Sequence, residues 1–104
     1  MNNINLIGNL TRDPHFIPAK ENKSAVAFLT VANNDDDKTI YVEVTVFGKT
    51  AEYTNKHLTK STRVAIEGKL AFRPSKTKEG STYDEMYVIG KRLTNLSAKA
   101  SQEA

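Results

Sequence analysis

Two aromatic rings stand on one face of the segment TIYVEVTVFGK, where apolar alternation predicts a β-strand. The two predicted faces carry, on one side, Val42, Val44 and Val46, and on the other, Tyr41, Glu43, Thr45 and Phe47. The valine face suits a hydrophobic core. Exposed rings such as Tyr41 and Phe47 can stack on planar ligands, but periodicity leaves open that they pack against a strand, a loop or another subunit.

Basic side chains are concentrated in the middle of the chain. The 104 residues have a formal net charge of +3, yet residues 49–78 contain eight Lys or Arg residues and only two Glu residues. Such a basic segment indicates a surface that faces a polyanion. An ordinary solvated face explains the charge equally well, so charge alone does not decide the function.

Patterns for catalysis or metal binding are weak. The chain has no cysteine, which excludes disulfides, thiolate metal sites and cysteine nucleophiles. The contiguous acids Asp35, Asp36 and Asp37 lack the alternate spacing of a calcium-binding loop. The tripeptide GKT lacks the upstream glycine of a phosphate-binding loop. We therefore expect no catalytic residue, no metal and no cofactor, in a protein that is not an enzyme.

The sequence shows neither a secretory signal nor a membrane-spanning segment. Its N-terminus lacks the basic start and apolar core of a secretory signal, and no apolar run approaches the ~20 residues that span a bilayer. We expect a cytoplasmic protein with no membrane partner.

Five strands and one short helix are predicted to position the candidate residues. Their segments are INLIGNL, AVAFLTVAN, TIYVEVTVFGK, a helix over residues 50–60, TRVAIEGKLAFR and YDEMYVIGKRLTNL. The second segment is apolar at nearly every position, which predicts burial on both faces. Thr50 is the expected N-cap of the helix.

The order of these elements predicts an all-β protein. Three strands, a helix between strands three and four, and two further strands match the OB-fold, a five-stranded and partly open barrel. In the fourth strand Val64, Ile66 and Leu70 share a predicted core face, and Gly68 marks an expected bulge. We expect residues 1–96 to form the OB-fold domain and residues 97–104 a disordered C-terminal tail.

Several segments resemble the bacterial single-stranded DNA-binding protein family. They are MNNINLIGNLTRDP, SAVAFLTVA and YVEVTVFGKTAEYTNKHLTKSTRVAIEGKL, which occur in the order and register of that family. The resemblance implies sequence-independent binding and protection of single-stranded DNA in replication, recombination or repair. It also implies a homo-oligomer that is usually a homotetramer, although the sequence itself leaves a dimer open.

The resemblance also implies a set of DNA-binding residues. Tyr41 matches a position where the family usually has a stacking Trp, and Phe47 matches its stacking Phe. Phe72 shares parity with the predicted core, so a core role for it stays open. The predicted DNA-binding residues, rings for bases and cations for phosphates, are Tyr41, Phe47, Lys49, Lys60, Arg63, Phe72, Arg73, Lys76, Lys78 and Tyr83.

Three features depart from the family pattern. The chain has no Trp, and Glu43 shares the predicted ligand face, where it would repel phosphate unless it is paired. We therefore expect weaker binding per subunit and a steeper salt dependence than in a Trp-rich member. The sequence ends in SAKASQEA, without an acidic and apolar tip, so we expect no recruitment of replication enzymes through a tail. A short natural form and a truncated chain are both compatible with this ending.

A second function from a different class fits part of this pattern. An OB-fold adaptor of the primosome type would use the same sheet face mainly for a protein partner. The few aromatic residues, Glu43 and the missing tip keep this alternative open. An OB-fold nuclease would need a cluster of acids with an arginine, which incubation with DNA and magnesium would reveal as cleavage.

Overall fold

A computed structural model describes residues 1–97, which form six strands and one helix. The elements are β1 Ile4–Leu10, β2 His15–Ile17, β3 Val26–Asp35, β4 Lys38–Phe47, α1 Gly48–His57, β5 Arg63–Lys76 and β6 Thr82–Asn95. The predicted tail, residues 97–104, lies outside the described residues except for Ser97. Within residues 1–97 no helix is both long enough and apolar enough to cross a membrane.

Five of the strands close into a barrel. The sheet order is β1-β5-β6-β4-β3-β2, and β1 also pairs with β3 through Asn9 opposite Ala32. The only parallel pairing among the described strands joins β4 to β6, with Val44 opposite Val88. A closed five-stranded barrel with one short helix after its third strand confirms the predicted OB-fold. The additional strand β2 was not predicted, because its three residues are too short to show alternation.

The barrel interior is filled by alternate residues of the strands. Val44 and Val46 of β4 are almost fully buried, as their shared face predicts. The prediction for β3 was partly wrong, because only one face of that strand is buried. Its other face, which includes Phe28, is half-buried, and the ring of His15 on the neighbouring strand β2 stacks beside Phe28 with 6.0 Å between the ring centroids.

Helix α1 begins and ends earlier than predicted. It covers Gly48–His57 rather than residues 50–60, so Thr50 lies inside the first turn. The N-cap is Phe47, whose side chain makes no capping hydrogen bond. Gly48 allows the abrupt change from strand to helix, since its φ of 60° lies in the left-handed region that favours glycine.

Strands β5 and β6 form a long hairpin that extends beyond the barrel. Their register shifts between Glu67 and Gly68, which confirms the predicted bulge. A methyl group at Gly68 would meet the backbone carbonyl of Ile89, so glycine permits the close approach of the two strands. The prediction that Leu70 lies in the core was wrong. Its side chain is 41% exposed because the hairpin leaves the barrel after the bulge.

Candidate functional site

The outer face of β4 presents two exposed rings. Tyr41 is 68% exposed and Phe47 is 49% exposed, while Val44 and Val46 point to the opposite face and are buried. The two rings are six residues apart, which corresponds to roughly 20 Å along a strand. The alternation therefore separates the residues that build the barrel from rings that remain accessible to a ligand.

Glu43 lies between these rings, and its charge is partly compensated. Its Oε1 atom lies 3.8 Å from Nη2 of Arg12 and accepts a hydrogen bond of 3.4 Å from the hydroxyl of Thr30. Arg12 also donates to the Thr30 hydroxyl at 2.9 Å. Glu43 would repel phosphate unless it were paired, and Arg12 supplies that partner. The ion pair is solvent-exposed and therefore weak.

A shallow groove of about 530 Å³ lies beside Phe47. It is formed where the outer face of β3 and β4 meets the hairpin β5–β6. The residues that line it include Lys23, Val26, Phe28, Phe47, Arg73 and Tyr87. The groove thus combines apolar and aromatic surface with two cationic side chains, a combination that suits a ligand with planar rings and negative charges.

Two residues that line this groove, Arg73 and Tyr87, belong to a network of four side chains on the hairpin. Arg73 donates to Oε1 of Glu85 at 2.9 Å, and the hydroxyl of Ser75 donates to Oε2 of Glu85 at 2.8 Å. The guanidinium carbon of Arg73 lies 4.8 Å from the ring centroid of Tyr87, within the range of a cation–π contact. The Ser75 hydrogen bond, followed by that of Arg73, lowers the pKa of Glu85, so its carboxylate is ionised at neutral pH.

The two other predicted rings lie on opposite faces of the hairpin. Tyr83 pairs with Ser75, so it shares the face that carries Arg73 and Glu85. Phe72 pairs with Met86 on the other face and is 60% exposed. Phe72 is therefore not in the barrel interior, yet the structure does not bring it to the groove beside Phe47.

The predicted cations are distributed around the molecule rather than gathered in one patch. Lys49 lies at the start of α1, in a cleft that also contains Arg92. Lys60 is exposed in the loop before β5, and its backbone N–H donates to Asp13 at 2.8 Å. Arg63 begins β5 and donates to the side chain of Asn9 at 3.3 Å. The remaining predicted cations at the end of the hairpin are Lys76 and Lys78.

Sequence reasoning missed two aromatic residues that line the groove, Phe28 and Tyr87. The signal for Tyr87 was present, because it alternates with Tyr83 and Glu85 in the segment YDEMY. Phe28 lies in a segment whose sequence predicts burial on both faces, so the sequence does not indicate that Phe28 lines the groove. No sequence signal distinguished Lys23 from the other cations of its polar loop.

No group of three or more His, Asp or Glu side chains is arranged to hold a metal ion within residues 1–97. Asp36 and Asp37 form the tight turn between β3 and β4, and Asp36 adopts a left-handed φ of 55°. These acids therefore shape a hairpin turn.

Known proteins match almost the whole chain. A family model described as the single-strand binding protein family matches residues 1–96. A single-stranded DNA-binding protein of Wolinella succinogenes is 30% identical, over 98% of this chain and 68% of the relative. A single-stranded DNA-binding protein of Paenarthrobacter aurescens is 36% identical, over 95% of this chain and 66% of the relative. The single-stranded DNA-binding protein 1 of Staphylococcus aureus is 28% identical, over 99% of this chain and 70% of the relative. The chain spans about two thirds of the length of these relatives.

Proposed function

Because the chain belongs to the single-strand binding protein family, we propose that it binds and protects single-stranded DNA without sequence preference. Relatives over nearly its full length are named single-stranded DNA-binding proteins. Membership of a family of binding proteins also supports the expectation that the chain is not an enzyme.

The observation that carries this proposal is the exposure of Tyr41 and Phe47 on one face of β4. An aromatic ring on an open sheet face offers its π-surface to a base, and every base has such a surface. Stacking therefore binds any sequence. The separation of roughly 20 Å between the rings provides room for several nucleotides along the strand.

Cationic side chains supply the second part of the binding free energy. We expect Lys49 and Arg92, which line one cleft, and Lys23, which lines the groove beside Phe47, to contact phosphates near the Phe47 end of β4. Each phosphate contact releases counterions, and the affinity then falls as the salt concentration rises. Lys60, Arg63 and the cations at the end of the hairpin would extend this path.

We further infer a homo-oligomer that acts in DNA replication, recombination or repair in the cytoplasm. Exposed apolar side chains outside the groove support the oligomer, namely Ile7 on β1 and Leu70, Phe72 and Met86 on the hairpin. The family resemblance implies a tetramer. Light scattering, with and without an oligonucleotide, distinguishes four copies from two.

A titration of the protein with poly-dT tests the proposed function. The chain has four Tyr and no Trp, so its emission comes from tyrosine, including Tyr41. We expect saturable quenching at low salt. An OB-fold adaptor for a protein partner, which the names of the relatives do not favour, would leave the emission unchanged by DNA, and this outcome would reject the proposal.

A further inference from the structure

We propose that Arg73 binds single-stranded DNA as a base-stacking plane, with its charge cancelled by Glu85, rather than as a contact to phosphate. This inference rests on the proposed function, because its ligand is the same single-stranded DNA. It assigns a positioning role to Glu85 and a binding role to Tyr87.

The register of the hairpin places the three side chains on one face. Arg73 lies directly opposite Glu85, and Tyr87 follows two residues later on the same strand as Glu85. Glu85 holds Arg73 through a hydrogen bond of 2.9 Å, and the guanidinium lies 4.8 Å from the Tyr87 ring centroid. Arg73 is thus restrained by two partners before any ligand arrives.

Glu85 is itself held in place. Its second oxygen accepts a hydrogen bond of 2.8 Å from Ser75, which lies on the same strand as Arg73. Both carboxylate oxygens therefore have a donor, and the ionised carboxylate sits against the guanidinium. A compensated cation attracts phosphate weakly and releases few counterions, because the net charge of the pair is zero.

The planar shape of Arg73 remains available after its charge is compensated. Guanidinium planes stack on the bases of single strands, which a lysine ammonium cannot do. Arg73 and Tyr87 line the same groove as Phe47, so a base lying on Phe47 meets this wall. Lys23 lines the groove too, and within residues 1–97 no carboxylate forms an ion pair with it. The groove thus separates a stacking arginine from a phosphate-binding lysine.

Two substitutions distinguish base stacking by Arg73 from a contact of Arg73 to phosphate. Binding is measured with an oligo-dT of fixed length over a range of salt concentrations. Arg73→Lys keeps the charge and removes the plane. We expect its affinity to fall about 5- to 150-fold, the loss of one stacked base, with no change in the slope of log K against log salt. Glu85→Gln releases the charge of Arg73 for phosphate, and we expect the slope to steepen by about 0.7.

Control variants separate these effects from a general change of charge or fold. Asp84→Asn makes the same charge change on the same strand, where Asp84 lies opposite Pro74 on the other face of the hairpin and forms no ion pair within residues 1–97. We expect its slope to equal that of the wild type.

Lys23→Gln should flatten the slope by about 0.7. Ser75→Ala loosens Glu85 without changing charge and should shift the slope in the same direction as Glu85→Gln, by less. Thermal unfolding of each variant checks that it is folded.

Two results would overturn the inference. If Arg73→Lys binds within twofold of the wild type, Arg73 acts through its charge. If Glu85→Gln leaves the slope unchanged in a folded protein, Glu85 does not restrain the charge of Arg73. Failure of the proposed function itself has a different signature, since the wild type would then not bind the oligonucleotide at all.

Discussion

Strand β4 contributes one face to the barrel interior and the other to the outer surface. Val44 and Val46 are at most 1% exposed, whereas Tyr41 and Phe47 on the same strand are about half exposed or more. Interior residues contribute to folding through burial, and the outer rings contribute little to it. Substitutions on the two faces should therefore have separable effects, on stability for one and on DNA binding for the other.

The largest expected effect is on the outer face. Replacing both rings in Tyr41→Ala/Phe47→Ala should weaken binding of oligo-dT by about 2–6 kcal/mol, since each stacked base contributes about 1–3 kcal/mol. The free energy of unfolding should change by less than about 0.5 kcal/mol for each site, as is usual for exposed positions. Fluorescence anisotropy with a labelled oligonucleotide and urea unfolding measure the two quantities.

Ile40→Ala provides the matched control for the double variant. Ile40 is an exposed apolar residue next to Tyr41, but alternation places it on the other face of β4. We expect its affinity for the oligonucleotide to equal that of the wild type. Equal losses in the control and the double variant would show that apolar area, rather than the outer face, determines binding.

A substitution in the barrel interior should have the opposite effect, lowering stability and leaving DNA binding unchanged. Ile66→Ala removes a side chain that is 1% exposed and should lower the free energy of unfolding by about 2–5 kcal/mol. Below its unfolding temperature the folded variant should bind oligo-dT with the affinity of the wild type. A large loss of affinity in the folded variant would mean that the two regions are coupled, contrary to the comparison.

Salt should distinguish rings from cations on the binding surface. Raising salt should weaken wild-type binding strongly, because much of the affinity depends on Lys and Arg. Lys49→Gln should flatten the slope of log K against log salt by about 0.7 while leaving the folded state intact. The double ring variant should keep the wild-type slope despite its lower affinity. An affinity that barely responds to salt would contradict this division between stacking and charge.

The smallest expected effect concerns pH and Glu85. Its pKa in the folded protein is lowered by Ser75 and then by Arg73, so its ionised form is favoured by folding. The resulting stability is present above the unfolded pKa of about 4.3 and is lost as pH falls through the lower folded value. Urea unfolding should show the wild type more stable than Glu85→Gln at pH 6, with the difference shrinking towards pH 3. A difference that grows on acidification would contradict the assignment.

Alternation predicted the exposure of Tyr41 and Phe47 on β4 correctly and the burial of Leu70 on the hairpin wrongly. In β4 the burial of Val44 and Val46 and the exposure of Tyr41 and Phe47 follow the period of two. Thr45 departs from it, since it is only 5% exposed where β6 pairs with β4, with Ile89 opposite Thr45. In β5 the same parity links Ile66, Leu70 and Phe72, yet only Ile66 is buried, because the strand leaves the barrel after Gly68. The length of a hairpin beyond its barrel depends on tertiary packing, which a local pattern does not contain.

The groove beside Phe47 was the least predictable feature. It joins residues from β3, β5 and β6 that are far apart in the sequence, and its network depends on the register that places Arg73 opposite Glu85. Tyr87 carried a usable signal in its alternation with Tyr83. The pairing of Glu43 was required by its position, but its partner Arg12 lies 31 residues earlier in the numbering and could be identified only from the fold.

Comparing oligo-dT with an abasic oligonucleotide of equal length most directly tests whether the outer face binds bases. Both strands carry the same phosphates, and only one offers rings for Tyr41 and Phe47 to stack on. We expect the wild type to bind the abasic strand at least about 30-fold more weakly, corresponding to about 2 kcal/mol of lost stacking. Equal affinity for the two strands would contradict the account.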